Sequence, residues 1–296
     1  MKNQYRGIVA LCIAIAILAG VTAAIGVFGR GDGSTAAAVS VRGESYRYAT
    51  TGVYKYSGER VVAEGVGWDY VTLLLAVPAL LTAMPFVARG SLRARLLALG
   101  LLGYLVYQYL MYAVFWAFCP LFVNFILLYS ASACAFVWIV SGIEIGSLAE
   151  RFDLDRFPRK TLAVVCAVMA LMLVAMWAQR IAAAMRGDVV TAGFEGMPTL
   201  SVQAMDLGMI VPLALATAAL AWARRPWGYL LGPVFAVKGV TMAGAICAML
   251  VSAAFVEGSL EVGSFAIFGV ATALFGLLAY KTLASVKPLA EVVEHL

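Results

Sequence analysis

The sequence contains few of the side chains on which most enzyme chemistry depends. Among its 296 residues there is one histidine, His295, and only 12% of the residues are charged. Haem and zinc sites normally need several imidazole ligands, so the sequence predicts no metal and no cofactor. It also lacks a Gly-x-x-x-x-Gly-Lys-Ser/Thr loop and a Gly-x-Ser-x-Gly elbow. P-loop nucleotide hydrolysis and serine-hydrolase chemistry are therefore not expected.

Cysteine is scarce and scattered, and no two cysteines form a Cys-x-x-Cys pair. A thiol-disulfide relay is therefore disfavoured, and single cysteines within apolar runs are expected to serve as small apolar packing residues. The five cysteines are Cys12, Cys119, Cys134, Cys166 and Cys247.

Long apolar runs dominate what is present. Apolar residues make up 64% of the chain and the mean hydropathy is +0.94. A hydrocarbon core about 30 Å thick is crossed by roughly 20 residues of apolar helix. The runs are continuous rather than alternating, which excludes a barrel and predicts an all-α polytopic membrane protein. Eight transmembrane helices are predicted, near 7–29, 69–88, 96–118, 121–143, 161–184, 206–223, 227–252 and 262–283.

The distribution of Lys and Arg predicts the orientation, because short loops rich in these residues stay in the cytoplasm. With both termini inside, the cytoplasmic segments carry 13 cations and 6 acids, and the outer segments carry 7 cations and 10 acids. We therefore expect a multi-pass protein of a bacterial plasma (inner) membrane. The net charge of +5 is then mainly a topology signal, and nucleic acid is not an expected partner.

These assignments divide the chain into six regions. The first run could instead be a cleaved signal peptide, but an apolar stretch from 7 to 28 is longer than such peptides usually carry, which favours a retained helix. The predicted regions are a first helix at 1–29, an extracytoplasmic loop at 30–68, helices 2–4 at 69–145, a cytoplasmic loop at 146–160, helices 5–8 at 161–283 and a cytoplasmic tail at 284–296.

The loop at 30–68 is the one extramembrane segment with a strand-like pattern. Apolar and aromatic residues recur largely by twos around Gly43 and Gly52, which predicts a hairpin or a three-stranded cap. Its tyrosines would form either a lid or an interfacial aromatic belt. A second outer loop, 186–203, would cover the other half of the bundle. The residues of the pattern are Val39, Val41, Tyr46, Tyr48, Val53, Tyr54 and Tyr56.

An internal repeat is one interpretation of the order of features along the chain. Asp69 precedes a run that contains Pro78 and ends in a basic turn, and Asp206 precedes a run with Pro212 and another basic turn. Two halves of four helices would be related by an axis along the membrane normal. Because the identity is slight, the shared order could equally be coincidence.

Lys238 is the residue whose predicted position has the highest free-energy cost, because it places a charged side chain inside the hydrocarbon core. It lies eleven residues beyond Trp227, about 16 Å at roughly 1.5 Å per residue, and therefore near the midplane. A charge there marks a functional site by default, and Asp206 and Asp69 are the expected partners. Lys238 could switch partners during ion-coupled transport, or present a fixed charge to an anion or a pore. A buried ion pair with a purely structural role is the third interpretation.

The sequence therefore favours a secondary transporter or channel-like permease for a small polar or anionic solute. Lys238 would carry the central charge, Asp69 and Asp206 would be its coupling acids, and Tyr104, Tyr107 and Gln108 would line the path. The alternative is a non-catalytic subunit or receptor whose cap binds a partner. An enzyme acting through outer carboxylates and a retinal Schiff base at Lys238 are less favoured. Membrane lipid, a small solute, and a protein partner or second copy are the partners considered.

Overall fold

The computed structural model describes residues 2–288, and most of the structure is helical. Within that range, eight helices are long and apolar enough to cross a membrane, as predicted. His295 and the rest of the tail beyond 288 lie outside the described residues. The spans are Tyr5–Phe28, Glu59–Ala88, Leu92–Phe115, Phe122–Ser141, Arg159–Met185, Ser201–Trp222, Pro226–Glu257 and Val262–Ala284.

Two of the eight spans are divided by short π-helical segments, so the spans contain more than eight elements. The first π segment is Thr72–Ala76 and the second is Asp206–Ile210. The remaining elements are the helices α1 (Lys2–Phe28), α2 (Glu59–Val71), α3 (Val77–Ala88), α4 (Leu92–Phe115), α5 (Phe122–Ser141), α6 (Arg159–Met185), α7 (Val189–Ala192), α8 (Ser201–Met205), α9 (Val211–Trp222), α10 (Pro226–Glu257) and α11 (Val262–Ala284), the strands β1 (Thr35–Val39) and β2 (Ser45–Ala49), and a 3₁₀ turn at Leu148–Arg151.

The second span begins ten residues earlier than the sequence predicts. The region 30–68 was expected to be extramembrane, yet α2 begins at Glu59. The charged residues at the start of α2 led to the prediction of a loop outside the membrane. Arg60 and Glu64, however, lie one turn apart on the helix and form an ion pair at 2.9 Å. A helix can carry such a pair at its end because the two charges satisfy each other.

The strand-like region forms a two-stranded hairpin rather than three strands. β1 and β2 pair antiparallel, with Thr35 opposite Ala49 and Val39 opposite Ser45. The segment that follows, predicted as a third strand, is a turn that places Tyr54 in the protein interior with 1% of its surface exposed. Its pairing with β2 is limited to an isolated bridge between Tyr48 and Gly58 and to backbone hydrogen bonds of Ala49 with Tyr56 and Ser57, so no third strand forms.

The hairpin contacts the second predicted outer loop, and together they cover one end of the bundle. The Arg42 guanidinium donates to the Pro198 carbonyl at 3.0 Å and lies 4.3 Å from the Phe194 ring centroid. The Gly196 amide donates to Glu44 at 3.3 Å. We call residues 30–58 and 186–200 the cap, and the end of the bundle that they cover the hairpin face.

The second and third spans of each half share element boundaries at a constant spacing. The π segments start at 72 and 206, the following helices at 77 and 211, and the next spans at 92 and 226; the difference is 134 each time. Pro78 and Pro212 occupy the same place in the first turn of α3 and α9. Gly90 and Arg224, also 134 apart, both have positive φ in the turns that follow.

The third helices of the two halves, α4 and α10, pack against each other at the centre of the bundle. Gly100 allows this close approach, because a Cβ at that position would lie 2.5 Å from the Cβ of Val237. On either side, α4 packs on α3 and α5, and α10 packs on α9 and α11. The remaining helices differ: α1 packs on both α3 and α5, whereas α6 packs on α9 and on the short α7.

Candidate functional site

A cavity of about 360 Å³ lies between the second half of the bundle and helices α2 and α4 of the first half, and it reaches the hairpin face. α2, α4, α6, α10 and α11 contribute to its walls, together with the segment 193–203. Such a volume falls within the range of roughly 300–1,000 Å³ that is common for small-molecule sites. Lys238 and Asp206 both line it.

Lys238 presents an unpaired ammonium group to this cavity. Its side chain is 8% exposed, and within residues 2–288 the Nζ makes no salt bridge and no hydrogen bond. The Nζ lies over the Tyr107 ring, 4.5 Å from its centroid. A cation-π contact of this kind holds the position of the ammonium but leaves its three N–H donors without acceptors.

Asp206 lies beside Lys238 but is hydrogen bonded to neutral donors. The Tyr107 hydroxyl donates to one carboxylate oxygen at 2.6 Å, and the Trp177 indole N–H donates to the other at 2.9 Å. The π segment that begins at Asp206 interrupts the regular helical hydrogen bonding at this point, and such bulges recur at functional sites. The carboxylate is therefore fixed in position close to the ammonium without neutralising it by direct contact.

Asp69, the second predicted partner, is not brought to Lys238. It is fully buried in the first half, where the Tyr54 hydroxyl donates to it at 2.5 Å and the Tyr112 hydroxyl at 3.5 Å. Tyr112 stacks on Trp116 with 3.9 Å between ring centroids. No cation within the described residues pairs with Asp69, so it belongs to an aromatic cluster and not to the cavity.

Of the predicted lining residues, Tyr107 faces the cavity, and Tyr104 and Gln108 do not. The Thr72 hydroxyl joins the latter two, donating to the Gln108 carbonyl oxygen at 2.7 Å and lying 2.9 Å from the Tyr104 hydroxyl. The Gln108 Nε2 has no hydrogen-bond partner among the described residues. These three side chains form a polar network inside the first half.

The walls above Lys238 are mainly apolar. Six methionines line the cavity, with branched and aromatic residues from α10 and α11 between them. Methionine is flexible and polarisable, and it suits surfaces that adapt to an apolar ligand. The methionines are Met111, Met169, Met176, Met197, Met242 and Met249.

At the hairpin face, Arg60 is the centre of a cluster of ion pairs at the rim of the cavity. Its guanidinium lies 2.8 Å from Glu257, 3.1 Å from Glu261 and 3.9 Å from Glu195. With Glu64, these contacts connect α2, the cap and the start of α11, and we call this set the rim cluster. The Arg60 hydrogen bond lowers the pKa of Glu261, the residue just before α11.

The rim cluster contains more acids than its central arginine can balance. Burial, and then the charge of Glu64, raise the pKa of Glu195 from 4.5 to about 7, although Arg60 and Arg180 act in the opposite direction. Glu195 is held in this place by a backbone with φ of 52°, in the left-handed region. Glu195 is therefore partly protonated at neutral pH, and four glutamates together with Arg60 and Arg180 make acidic side chains the majority of the charged groups at the rim.

Sequence reasoning missed several residues of this site. Trp177 and Arg60 were not predicted to take part, because an indole in an apolar run and an arginine in a polar loop have no distinctive pattern. The only sequence signal for Trp177 is that it lies within the span that precedes the one containing Asp206. Within residues 2–288, no three His, Cys, Asp or Glu side chains lie close enough to share a metal ion. Searches of family models, curated proteins and solved structures found no match for this chain.

Proposed function

We propose that this integral membrane protein is a permease for a solute with an anionic group, which binds at Lys238. The observation that carries the proposal is an ammonium that is buried, unpaired and exposed to a cavity reaching the hairpin face. A charge in the membrane interior is expensive, and a purely structural lysine would be expected to touch its counter-charge. Lys238 instead lines the cavity without a direct counter-charge among the described residues.

Asp206 is proposed as the coupling acid. As a carboxylate it attracts the neighbouring ammonium and opposes the entry of an anion. When it takes up a proton, that repulsion ends and Lys238 can bind the solute. The proton returns to the side from which it came after the anion has bound, so the anion alone crosses the membrane and carries net charge. Tyr107 contacts both groups and can transmit a change at Asp206 to Lys238.

The hairpin face is proposed as the extracytoplasmic side of a plasma membrane, with both termini in the cytoplasm. The basic turns that follow α3 and α9 lie at the opposite end of the bundle, where positively charged loops are retained. In this orientation the cavity opens outward, and the tight packing of α4 on α10 separates Lys238 from the cytoplasm. The constant spacing of 134 residues supports a duplicated four-helix unit with its axis along the membrane normal.

The proposal is tested by recording charge movement across proteoliposomes on a solid-supported membrane. The anions applied are chloride, sulfate, phosphate, acetate, benzoate and octanesulfonate, at two pH values. We expect at least one to produce a protein-dependent current, which Lys238→Met abolishes. Lys281→Met is the matched control, because it removes an exposed cation at the opposite end of α11. Currents from none of the anions, or equal currents in the Lys238→Met protein, would overturn the proposal.

The alternative function, a subunit or receptor whose cap binds a partner, is favoured by one observation. The hairpin and the loop 186–200 are joined by specific side-chain contacts, which give the cap a defined surface. In this case Lys238→Met would leave function intact, and Arg42→Ala would release a co-purifying protein. Retention of the same co-purifying proteins by both variants would count against this alternative.

A further inference from the structure

The cavity combines one charged end with a long apolar wall, and this combination restricts the chemistry of its ligand. The ammonium of Lys238 is the charged group at the deep end, and its donors are unpaired. Above it, the walls consist of Met169, Leu173, Ile246 and Phe268 with similar neighbours. A small hydrated ion would contact only the Lys238 ammonium, whereas a ligand with an apolar chain would also bury that chain against the apolar wall.

The space for an apolar chain exists because the second half has small residues where the first half has aromatic ones. At the constant spacing of 134, Ala243 corresponds to Tyr109 and Ile246 to Tyr112. Both tyrosines are buried and pack against Phe125, at 6.0 and 5.2 Å between centroids. Ala243 and Ile246 line the cavity instead.

The aqueous rim is an unfavourable entrance for an anion. Four glutamates surround Arg60 there, at the mouth of the cavity. A like charge at such a rim slows entry and lowers occupancy. A route that avoids the rim is therefore more favourable for an anion that reaches Lys238.

The gap between α6 and α11 provides that route. Both helices line the cavity, but α6 packs on α9 and α7 and has no comparable packing with α11. In the first half the corresponding helices, α1 and α5, pack together, and Asn124 donates to Thr22 at 3.3 Å. Met176 of α6 lines the cavity and is 38% exposed.

From these observations we infer that the ligand is an amphipathic anion, which enters from the surrounding lipid between α6 and α11. Its anionic head would bind Lys238 and its apolar chain would lie along α6, α10 and α11. This inference rests on the proposed function for the role of Lys238, and it adds the class of the ligand and its route. The same chemistry is shared by a free alkyl anion and by an anionic phospholipid.

The test measures binding of radiolabelled alkanesulfonates to the protein in phosphatidylcholine nanodiscs, with empty discs to subtract partitioned probe. Sulfonates stay ionised, so only chain length varies from methanesulfonate to octanesulfonate. We expect the affinity, referred to the aqueous concentration, to rise about four-fold per methylene. Lys238→Met should weaken octanesulfonate binding by about ten-fold or more, since it removes a charge-assisted contact.

Two variants test the position of the chain. Ala243→Tyr and Ile246→Tyr copy the first half, and either should weaken octanesulfonate binding by about ten-fold or more, while methanesulfonate binding changes little. Ala273→Tyr places the same side chain on the exposed surface of α11 and is the control. Using two filling variants keeps the test valid if one of them fails to fold.

Further measurements distinguish a free alkyl anion from an anionic phospholipid as the ligand. They also distinguish failure of the amphipathic-ligand inference from failure of the permease proposal. Phosphatidylglycerol added to the discs should weaken the sulfonate affinity if an anionic phospholipid is the ligand, and leave it unchanged if a free amphiphile is. Equal binding of short and long sulfonates, or equal loss with Ala273→Tyr, would overturn the amphipathic ligand and leave the permease intact. Chain-dependent binding without any current would remove the permease and leave the ligand assignment standing.

Discussion

The second and third spans of the two halves have the same spacing of element boundaries but differ in their side chains. In the first half, Tyr109 and Tyr112 of α4 are buried, and α1 packs against α5. In the second half, Ala243 and Ile246 leave the corresponding space empty, and α6 remains separate from α11. The comparison indicates that two exchanges of a tyrosine for a smaller residue, together with the different packing of the outer helices, accompany the change from a packed interior to a cavity.

The polar positions differ in the same way. Thr72 and Tyr104, separated by 32 residues, lie 2.9 Å apart in a neutral contact. The positions 134 residues later are Asp206 and Lys238, which are charged and do not touch. A neutral hydrogen-bonded pair contributes order, whereas a separated acid and base can respond to a proton or an anion. One half is thus suited to stability and the other to binding.

The largest effect is expected from emptying the packed half. Tyr109→Ala should lower the free energy of unfolding by about 3–5 kcal/mol, because it leaves a cavity in a closed core. Ala243→Tyr, the reverse exchange in the second half, should cost less than about 1.5 kcal/mol, because the space is already present. Unfolding in a mild detergent, followed by circular dichroism, measures both. Equal costs would show that the halves are packed alike.

The next effect is expected from giving the second half the polar pair of the first. The double variant Asp206→Thr, Lys238→Tyr should lose the anion current, yet match or exceed the wild-type unfolding free energy, by up to about 1–4 kcal/mol. Lys238→Tyr alone should be less stable than the double variant, because Asp206 then lacks a nearby cation. The same unfolding assay with the electrophysiology gives both readouts. A double variant less stable than either single one would contradict the correspondence of positions.

The sequence predicts the number of spans and the position of Lys238 inside one of them, and for a physical reason. Continuous apolar runs and a charge in the middle of a span are visible in one segment of sequence. The free energy of transferring such a segment from water to the membrane follows mainly from its own residues and not from the helices that pack on it. The pairing of Asp206 with Tyr107 and Trp177 is not local, since the three residues come from different helices. Asp69 and Asp206 precede comparable runs, so nothing in the sequence distinguishes the buried one from the one that lines the cavity.

The spacing of 134 residues between matching element boundaries shows how much the choice of alignment matters. The sequence matched Asp69 with Asp206, but the π segments and prolines pair Asp206 with Thr72 and Asp69 with Gln203. The difference is three residues, which is nearly one helical turn, so both alignments place polar residues on the same helix face. Only the boundaries of the elements resolve it. The early start of α2 was missed for a related reason, because charges that pair along a helix look like a loop.

A smaller effect is expected at Asp69, which separates it from Asp206. Asp69→Asn should leave the anion current close to the wild-type value, since the side chain lies outside the cavity among Tyr54 and Tyr112. Asp206→Asn should reduce the pH dependence of the current, because an amide cannot take up the coupling proton. Currents recorded at two pH values compare the variants. Loss of the current in Asp69→Asn protein of normal stability would mean that the packed half also takes part in transport.

The smallest effect is expected at the rim. Because the pKa of Glu195 rises from 4.5 unfolded to about 7 folded, the folded state binds more protons between these values, and stability should fall as the pH rises through this interval. The glutamine of Glu195→Gln cannot ionise. As the pH rises, the variant should therefore become more stable than the wild type, by at most about 1 kcal/mol because the site is partly exposed. Thermal unfolding between pH 4.5 and 8 measures the difference. Glu59→Gln, whose parent pairs with Arg47 on the same face, should not change this slope. If Glu195→Gln and the wild type keep parallel profiles, the rim is already open to solvent, and the first half alone is then the closed part of the bundle.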